Sequence, residues 1–188
     1  MNVKTALIIL ADGFEEIEAL GTADVLRRLK IRVILTGLNG LSVTGSHHMK
    51  VTADATFDSV PFASSAAIIL PGGLPGTVNL MESEALAGKL REFASMNKIV
   101  GAICAAGTVL KHAGIAEGKR LAGYPGSEEL AGVPGFQFTG AMVEHDGNII
   151  TGKAPGATFL FAAEIGRALG CSEEQVRDTL NGMFVPSV

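Results

Sequence analysis

The sequence predicts a doubly wound α/β fold, a mostly parallel sheet with helices on both faces. Three observations predict it. Short apolar runs rich in Ile, Leu and Val recur along the chain, and each is continuous rather than alternating, as strands buried on both faces are. Apolar residues at spacings of three and four fill the intervals between them. Strand, helix and strand in repetition imply parallel pairing through right-handed crossovers.

The first run, "TALIILA" at 5–11, predicts a buried strand. "EEIEALGTADVLRRL" at 15–29 places Ile17, Leu20 and Ala23 or Asp24 at helical spacing. A second strand follows in "IRVILTGL" at 31–38. "LSVTGSHHMKVTAD" at 41–54 reads as a short hairpin with a Gly-Ser turn. "AAIILP" at 66–71 and "KIVGAIC" at 98–104 are further strands, with the helical pattern "ESEALAGKLREFASM" at 82–96 between them. A helix-like segment follows Cys104. "AMVEHDGNIITG" at 141–152 places two short strands around Asp146-Gly147, a strong hairpin signal. Helices are predicted at 158–169 and 172–184, the second opened by Ser172 and Gln175 in a capping-box pattern. No internal repeat, low-complexity tract or linker interrupts the chain. It reads as one domain over 1–188, related in layout to the flavodoxin-like order.

Composition bounds the function. With 188 residues and 47% hydrophobic content, the chain can bury a sizeable core. A net charge of −4 without a basic cluster argues against direct nucleic-acid binding. No apolar run approaches the ~18 residues of a membrane span, and the first is too short for a signal-peptide core. Two cysteines give no disulfide framework. A cytoplasmic location is therefore expected.

Ligands of such sheets sit beyond the carboxyl ends of the strands. Three unusual stretches fall there: "ADGFEEIEA" at 11–19, "LPGGLPGTVNL" at 70–80, and Cys104 in "AICAA". Small flanking residues permit a sharp strand-to-helix elbow that exposes a nucleophile. The free N–H groups and positive end of the following helix favour thiolate. An inert buried Cys fits the same residues. Cys171 has no strand leading into it and reads as structural. Glu15, Glu16 and Glu18 suit the first turn of a helix through its dipole, and one of them has the direction to face the thiol. A carboxyl buried beside a thiolate has its pKa raised and can shuttle a proton. Gly72 and Gly73 permit a tight turn, and the N–H of Gly73 with that of Ala105 can form an oxyanion hole. "GGLPG" lacks both the Walker A and the dinucleotide spacing. Adjacent His47 and His48 are a weak metal signal, because neighbours on a strand point to opposite faces.

Taken together, "ADGFEEIEA…DVLRR", "ILPGG…G…NL", "AICAAGTVL" and "GKAPGATFLFA" resemble the ThiJ/PfpI superfamily, and within it the Parkinsonism-associated deglycase-like branch. The likeness runs in order over nearly the whole chain. It implies a flavodoxin-like three-layer α/β/α sandwich with a nucleophile elbow, usually as a homodimer. It implies an oxidation-prone Cys104, a protonated Glu18 touching its sulfur, and backbone donors at Gly73 and Ala105. The chain departs from the branch at Tyr124, where a His often stands, and at His47, where an Arg often lies near the dimer site. Ala105 replaces the His that follows the Cys of the protease-like branch, so a cysteine hydrolase is the less expected activity.

Two function classes follow. As an enzyme, the resemblance suggests cofactor-independent conversion of small 2-oxoaldehydes through a Cys104 hemithioacetal, with Glu18 moving the proton and Tyr124 orienting substrate. As a redox sensor or protective chaperone, Cys104 would be oxidised, Glu18 would hydrogen-bond the product, and client proteins would be the partners. Neither reading calls for a metal or a cofactor, and neither involves a membrane.

Overall fold

The apolar run at the start of the chain forms β1 (Thr5–Leu10), fully buried from Ala6 to Leu10, in a computed structural model that describes residues 3–186. The expected domain ends, 1–2 and 187–188, lie outside the described residues. The chain continues through α1 (Glu16–Arg28), β2 (Arg32–Gly37), β3 (Ser42–Thr44), β4 (Lys50–Thr52), β5 (Ala55–Thr56) and β6 (Ala67–Leu70). Next come α2 (Gly76–Met81), α3 (Glu84–Ser95), β7 (Ile99–Ile103) and α4 (Gly107–His112). The last elements are β8 (Val143–Asp146), β9 (Ile149–Gly152), α5 (Thr158–Ala168) and α6 (Glu173–Gly182).

Seven strands form one sheet in the order β5-β2-β1-β6-β7-β9-β8. Every pair is parallel except β8 with β9, the hairpin read at 141–152. The fold is flavodoxin-like, as the sequence predicts. Side chains alternate across each strand, so the central strands feed two cores. Ile8, Leu10, Ile69 and Ile103 pack with Leu26 of α1, Phe161 and Ile165 of α5 and Val176 of α6. Leu7, Ile9, Ile68 and Val100 pack on the other face with Leu86, Leu90 and Phe93 of α3 and Val109 and Leu110 of α4. Continuous apolar runs are required because both faces are covered.

The Ser172–Gln175 capping box forms, with Gln175 N–H donating to Ser172 Oγ at 3.2 Å and Ser172 N–H to Gln175 Oε1 at 2.9 Å. β3 and β4 pair antiparallel as a separate two-stranded sheet with Gly45 and Ser46 in the turn. Short α2 and two-residue β5 were not legible, because neither spans enough residues to show a period.

Register decides where the site lies. Ile8 pairs with Ile69, and Leu70 pairs with Ala102. The carboxyl ends of β1, β6 and β7 therefore finish at one level. All three unusual stretches emerge there.

Candidate active site at the strand ends

β7 runs extended to Ile103, and the backbone then reverses at Cys104, whose φ is +62°. A side chain in this left-handed region costs about 1–2 kcal/mol relative to ordinary conformations, and the turn at Cys104–Ala106 passes directly into α4. Thr108 Oγ1 donates to Ala105 O at 2.6 Å and pins the turn. The reversal holds the thiol at the top of the sheet, where the residue keeps 9% exposure. This is the expected elbow.

Glu18 comes from the first turn of α1 and is 1% exposed. Its Oε2 accepts the Gly72 N–H at 2.7 Å. The other oxygen, Oε1, is buried without a hydrogen-bond partner among the described residues. The Cys104 thiol is the side chain that interacts with the carboxyl. Gly72 makes the approach possible. A Cβ there would stand 2.7 Å from Cys104 Cβ and 2.9 Å from Glu18 Oε2. A Cβ on Gly73, at φ +90°, would stand 2.5 Å from both Glu15 N and Gly13 O.

The three neighbouring acids do different work. Glu15 caps α1, its Oε2 accepting the Glu18 N–H at 2.7 Å. Glu16 reaches the β3–β4 turn, where its Oε1 accepts the His47 N–H at 2.8 Å and its Oε2 lies 2.9 Å from His47 Nδ1. Only Glu18 turns toward the thiol. The role of Glu16 as a tie to the hairpin was missed by the sequence reading, because nothing local relates position 16 to position 47.

Electrostatics follow from burial. Burial raises Glu18 most, the Gly72 N–H and the Cys104 contact lower it, and the charge of Glu15 raises it; the carboxyl moves from its ordinary 4.5 to about 7. Burial and then the charge of Glu18 push the Cys104 thiol up to about 12, against the N–H groups of Ala105 and Gly73, which hydrogen-bond the sulfur. The pull toward thiolate expected from the backbone N–H groups is present, but it does not set the net shift. Desolvation and a neighbouring carboxylate outweigh two backbone donors. For Glu16, burial raises the pKa, but the hydrogen bonds from His47 and from backbone N–H groups win and bring it to about 2. His47 is raised in turn by Glu16. Burial raises Cys171, which sits half-buried with its sulfur 3.8 Å from Leu29 O.

The structure brings Cys104, Glu18, Gly72, Gly73 and Ala105 together. The Ala105 and Gly73 N–H groups act on the sulfur itself, lowering its pKa. His47 is removed from the thiol and bound to Glu16. Tyr124 is exposed, two residues beyond Ala122. A Cβ on Gly107, three residues after the thiol, would lie 3.4 Å from Ala122 O, and the Phe138 ring rests against both Gly107 and Gly123. Donor atoms of Glu15, Glu16 and His47 lie within 4.8 Å of one another. Their capping and ion-pair bonds account for that cluster without a metal.

A pH dependence of stability follows. The folded chain keeps a proton on the Glu18–Cys104 pair that an unfolded Glu has shed, so the pair favours folding below about 4.5 and that contribution is lost as pH rises through about 7. The loss is on the order of 3 kcal/mol, from ~1.4 kcal/mol per unit. Urea unfolding of Glu18→Gln should lack this decline between pH ~4.5 and ~7, and an unchanged decline would remove Glu18 as its source.

The sequence profile of the DJ-1/PfpI family matches residues 4–168. Protein dj-1beta of Drosophila melanogaster is 38% identical over 184 residues, 97% of each chain. Its crystal structure superposes with a TM-score of 0.92, at 37% identity, over 99% of this chain and 100% of that one. The Parkinson disease protein 7 homolog of Danio rerio is 37% identical over 169 residues, 88% of this chain and 89% of its own. A structure of oxidized Toxoplasma gondii DJ-1 covers 98% of this chain and 100% of its own, with a TM-score of 0.90 at 26% identity. An elbow thiol against a buried carboxyl, on a sheet shared with these proteins over almost its whole length, places the chain in the DJ-1/PfpI family.

Proposed function

We propose that the protein converts small 2-oxoaldehydes, in a glyoxalase- or deglycase-type reaction that uses Cys104 and Glu18 and no cofactor. The observation that carries this reading is the pairing of a thiol with a buried carboxyl whose pKa stands near neutrality, where a proton shuttle works best. The N–H groups of Ala105 and Gly73 pull the thiol toward ionisation, against the stronger push of burial and the Glu18 charge.

The steps balance without an oxidant. The sulfur adds to the aldehyde carbon, the C=O π bond opens, and Glu18 gives its proton to the oxygen, leaving a hemithioacetal and a carboxylate. Glu18 then takes the hydrogen of that carbon as a proton, the electron pair moves through the adjacent carbonyl, and the hydroxyl proton crosses to that carbonyl's oxygen, giving an enediolate. Return of a proton to the adjacent carbon reduces it while the first carbon becomes a thioester. Water cleaves the thioester to a 2-hydroxy acid and restores the thiol. Tyr124, an exposed side chain, is assigned to substrate orientation.

The redox reading rests on the same pair and on the oxidized state of the Toxoplasma neighbour. A sulfinate at Cys104 would accept from Ala105 and Gly73 and from a protonated Glu18. A hydrolase receives no such support. Among the described residues, His47 is engaged by Glu16 and His145 by Glu164, so neither serves the thiol as a base.

Assembly as a homodimer is part of the proposal. Ile17 and Met49 are 57% and 55% exposed, and Leu20 and Phe159 are also open. They are neighbours in the fold: Met49 N–H donates to Glu16, and Gly21 packs on Thr158, next to Phe159. Burying this apolar face would set the β3–β4 turn and His47 at the interface.

Intact mass after methylglyoxal, and separately after mild peroxide, should show hydroxy-acid production with an unmodified protein in the first case and added oxygen in the second. Cys104→Ser should abolish both, while Cys171→Ser leaves both intact. Oxygen addition without any turnover would leave only the sensor reading. Light scattering should give about twice the 19.4 kDa chain mass, with Ile17→Lys shifting it toward monomer; a monomeric wild type would remove the dimer.

A further inference from the structure

At the end of the sheet opposite Cys104, a groove of about 660 Å³ follows the outer edge of β2. Arg27, Lys30, Arg32, Val60 and Pro61 border it. The edge is open because β5 pairs only with Thr36 and Gly37. Asp54 closes the next position. Its Oδ2 accepts the Leu35 N–H at 2.9 Å, and its own N–H donates to Leu35 O at 2.8 Å. Nearer the start of β2 the ladder stops.

Backbone parity fixes what is left free. Arg32 N–H donates to Lys4 O at 2.9 Å, so Arg32, Ile34 and Thr36 turn their peptide groups to β1. Ile31, Val33 and Leu35 turn theirs outward. Arg27 donates to Val33 O at 3.2 Å. The Val33 N–H and Ile31 O have no partner among the described residues. These two groups flank Arg32. They are the donor and acceptor of one rung of a parallel ladder, in which a single incoming residue bonds to both.

Charge selects the occupant. Asp54, the acid of the groove, is already held by Arg27 at 2.8 Å and by Leu35 N–H. Lys30 and Arg32 are exposed and make no ion pair among the described residues. In a chain of net charge −4 this cationic edge stands out from the background. The cations also stand on both faces. Val33 and Leu35 point into the core under α1, whereas Ile34 points into the opposite core and Arg32 shares its side. Arg27 and Lys30 come from the end of α1, on the Val33 side. A residue paired with Arg32 would project toward the Arg32 guanidinium, and its neighbour would project toward Lys30.

We infer that this edge binds an extended segment of a partner protein with two adjacent acidic residues, added as a short parallel strand beyond β2. Main-chain bonds to Ile31 and Val33 give the pairing, and the cations on opposite faces read the two acids. The inference is independent of the chemistry at Cys104.

The probe is a fluorescein-labelled hexapeptide with two central glutamates flanked by valine and threonine. Fluorescence polarisation should show binding to the wild-type protein, and Lys30→Glu and Arg32→Glu should each weaken it about tenfold or more, through like-charge repulsion. N-methylation of the central glutamates should abolish binding, and the unmodified peptide should slow hydrogen exchange at the Val33 amide. A peptide with lysines in place of the glutamates should not bind, which keeps the charge test available on wild-type protein if a variant fails to fold. Peroxide oxidation of Cys104 should be unchanged in both variants. Equal binding of the N-methylated peptide, or an unprotected Val33 amide, would overturn the strand. Displacement by inorganic phosphate with no effect at Val33 would reduce the groove to a simple anion site, and absence of binding would dismiss it.

Discussion

A carboxyl and a thiol buried side by side cannot both carry negative charge. That constraint organises the site. Above about pH 7 Glu18 and Cys104 share one proton, because burial and mutual repulsion hold back the second ionisation. The position of that proton determines the chemistry. On the sulfur it leaves an inert thiol. On Glu18 it leaves a thiolate with an acid next to it. The Ala105 and Gly73 N–H groups favour the second arrangement, and burial and the Glu18 charge favour the first. Two N–H groups serve the sulfur, while the carboxyl receives one and keeps a buried oxygen without a partner. A neutral acid that donates to sulfur relieves that unmet demand.

The scaffold brings these two groups together. Parallel register brings β1, β6 and β7 to one level, so that residues far apart in sequence meet there. The left-handed turn at Cys104 aims the sulfur inward, and Gly72 leaves room for Glu18 to reach it. Glu15 and Glu16 anchor the start of α1 by capping it and by tying it to the hairpin. Their bonds fix the direction of Glu18, which lies on the same turn. The acids of this stretch therefore act as one positioning device with a single chemical member.

Much of this was legible in the sequence. Continuous apolar runs identified the parallel strands, since burial on both faces leaves no polar alternation. Small residues around Cys104 identified the elbow, since only they fit so tight a turn. The Ser172–Gln175 box marked the last helix because its bonds are local. What the sequence did not show depends on contacts across long separations. Glu16 with His47 is one case, and the packing of Phe138 on Gly107 and Gly123 is another. The sign of the thiol shift was also hidden. A helix N-terminus is visible as a pattern, but the desolvation that opposes it appears only once the core has closed over the side chain.

The proton itself gives the most direct test. Ultraviolet thiolate absorbance should be followed against pH in the wild type and in Cys104→Ser, which supplies the background. If Glu18 holds the shared proton, thiolate appears as the pair loses its first proton, near pH 7. If the proton stays on sulfur, no thiolate absorbance develops until pH approaches 12, and the proposed catalytic pair is contradicted.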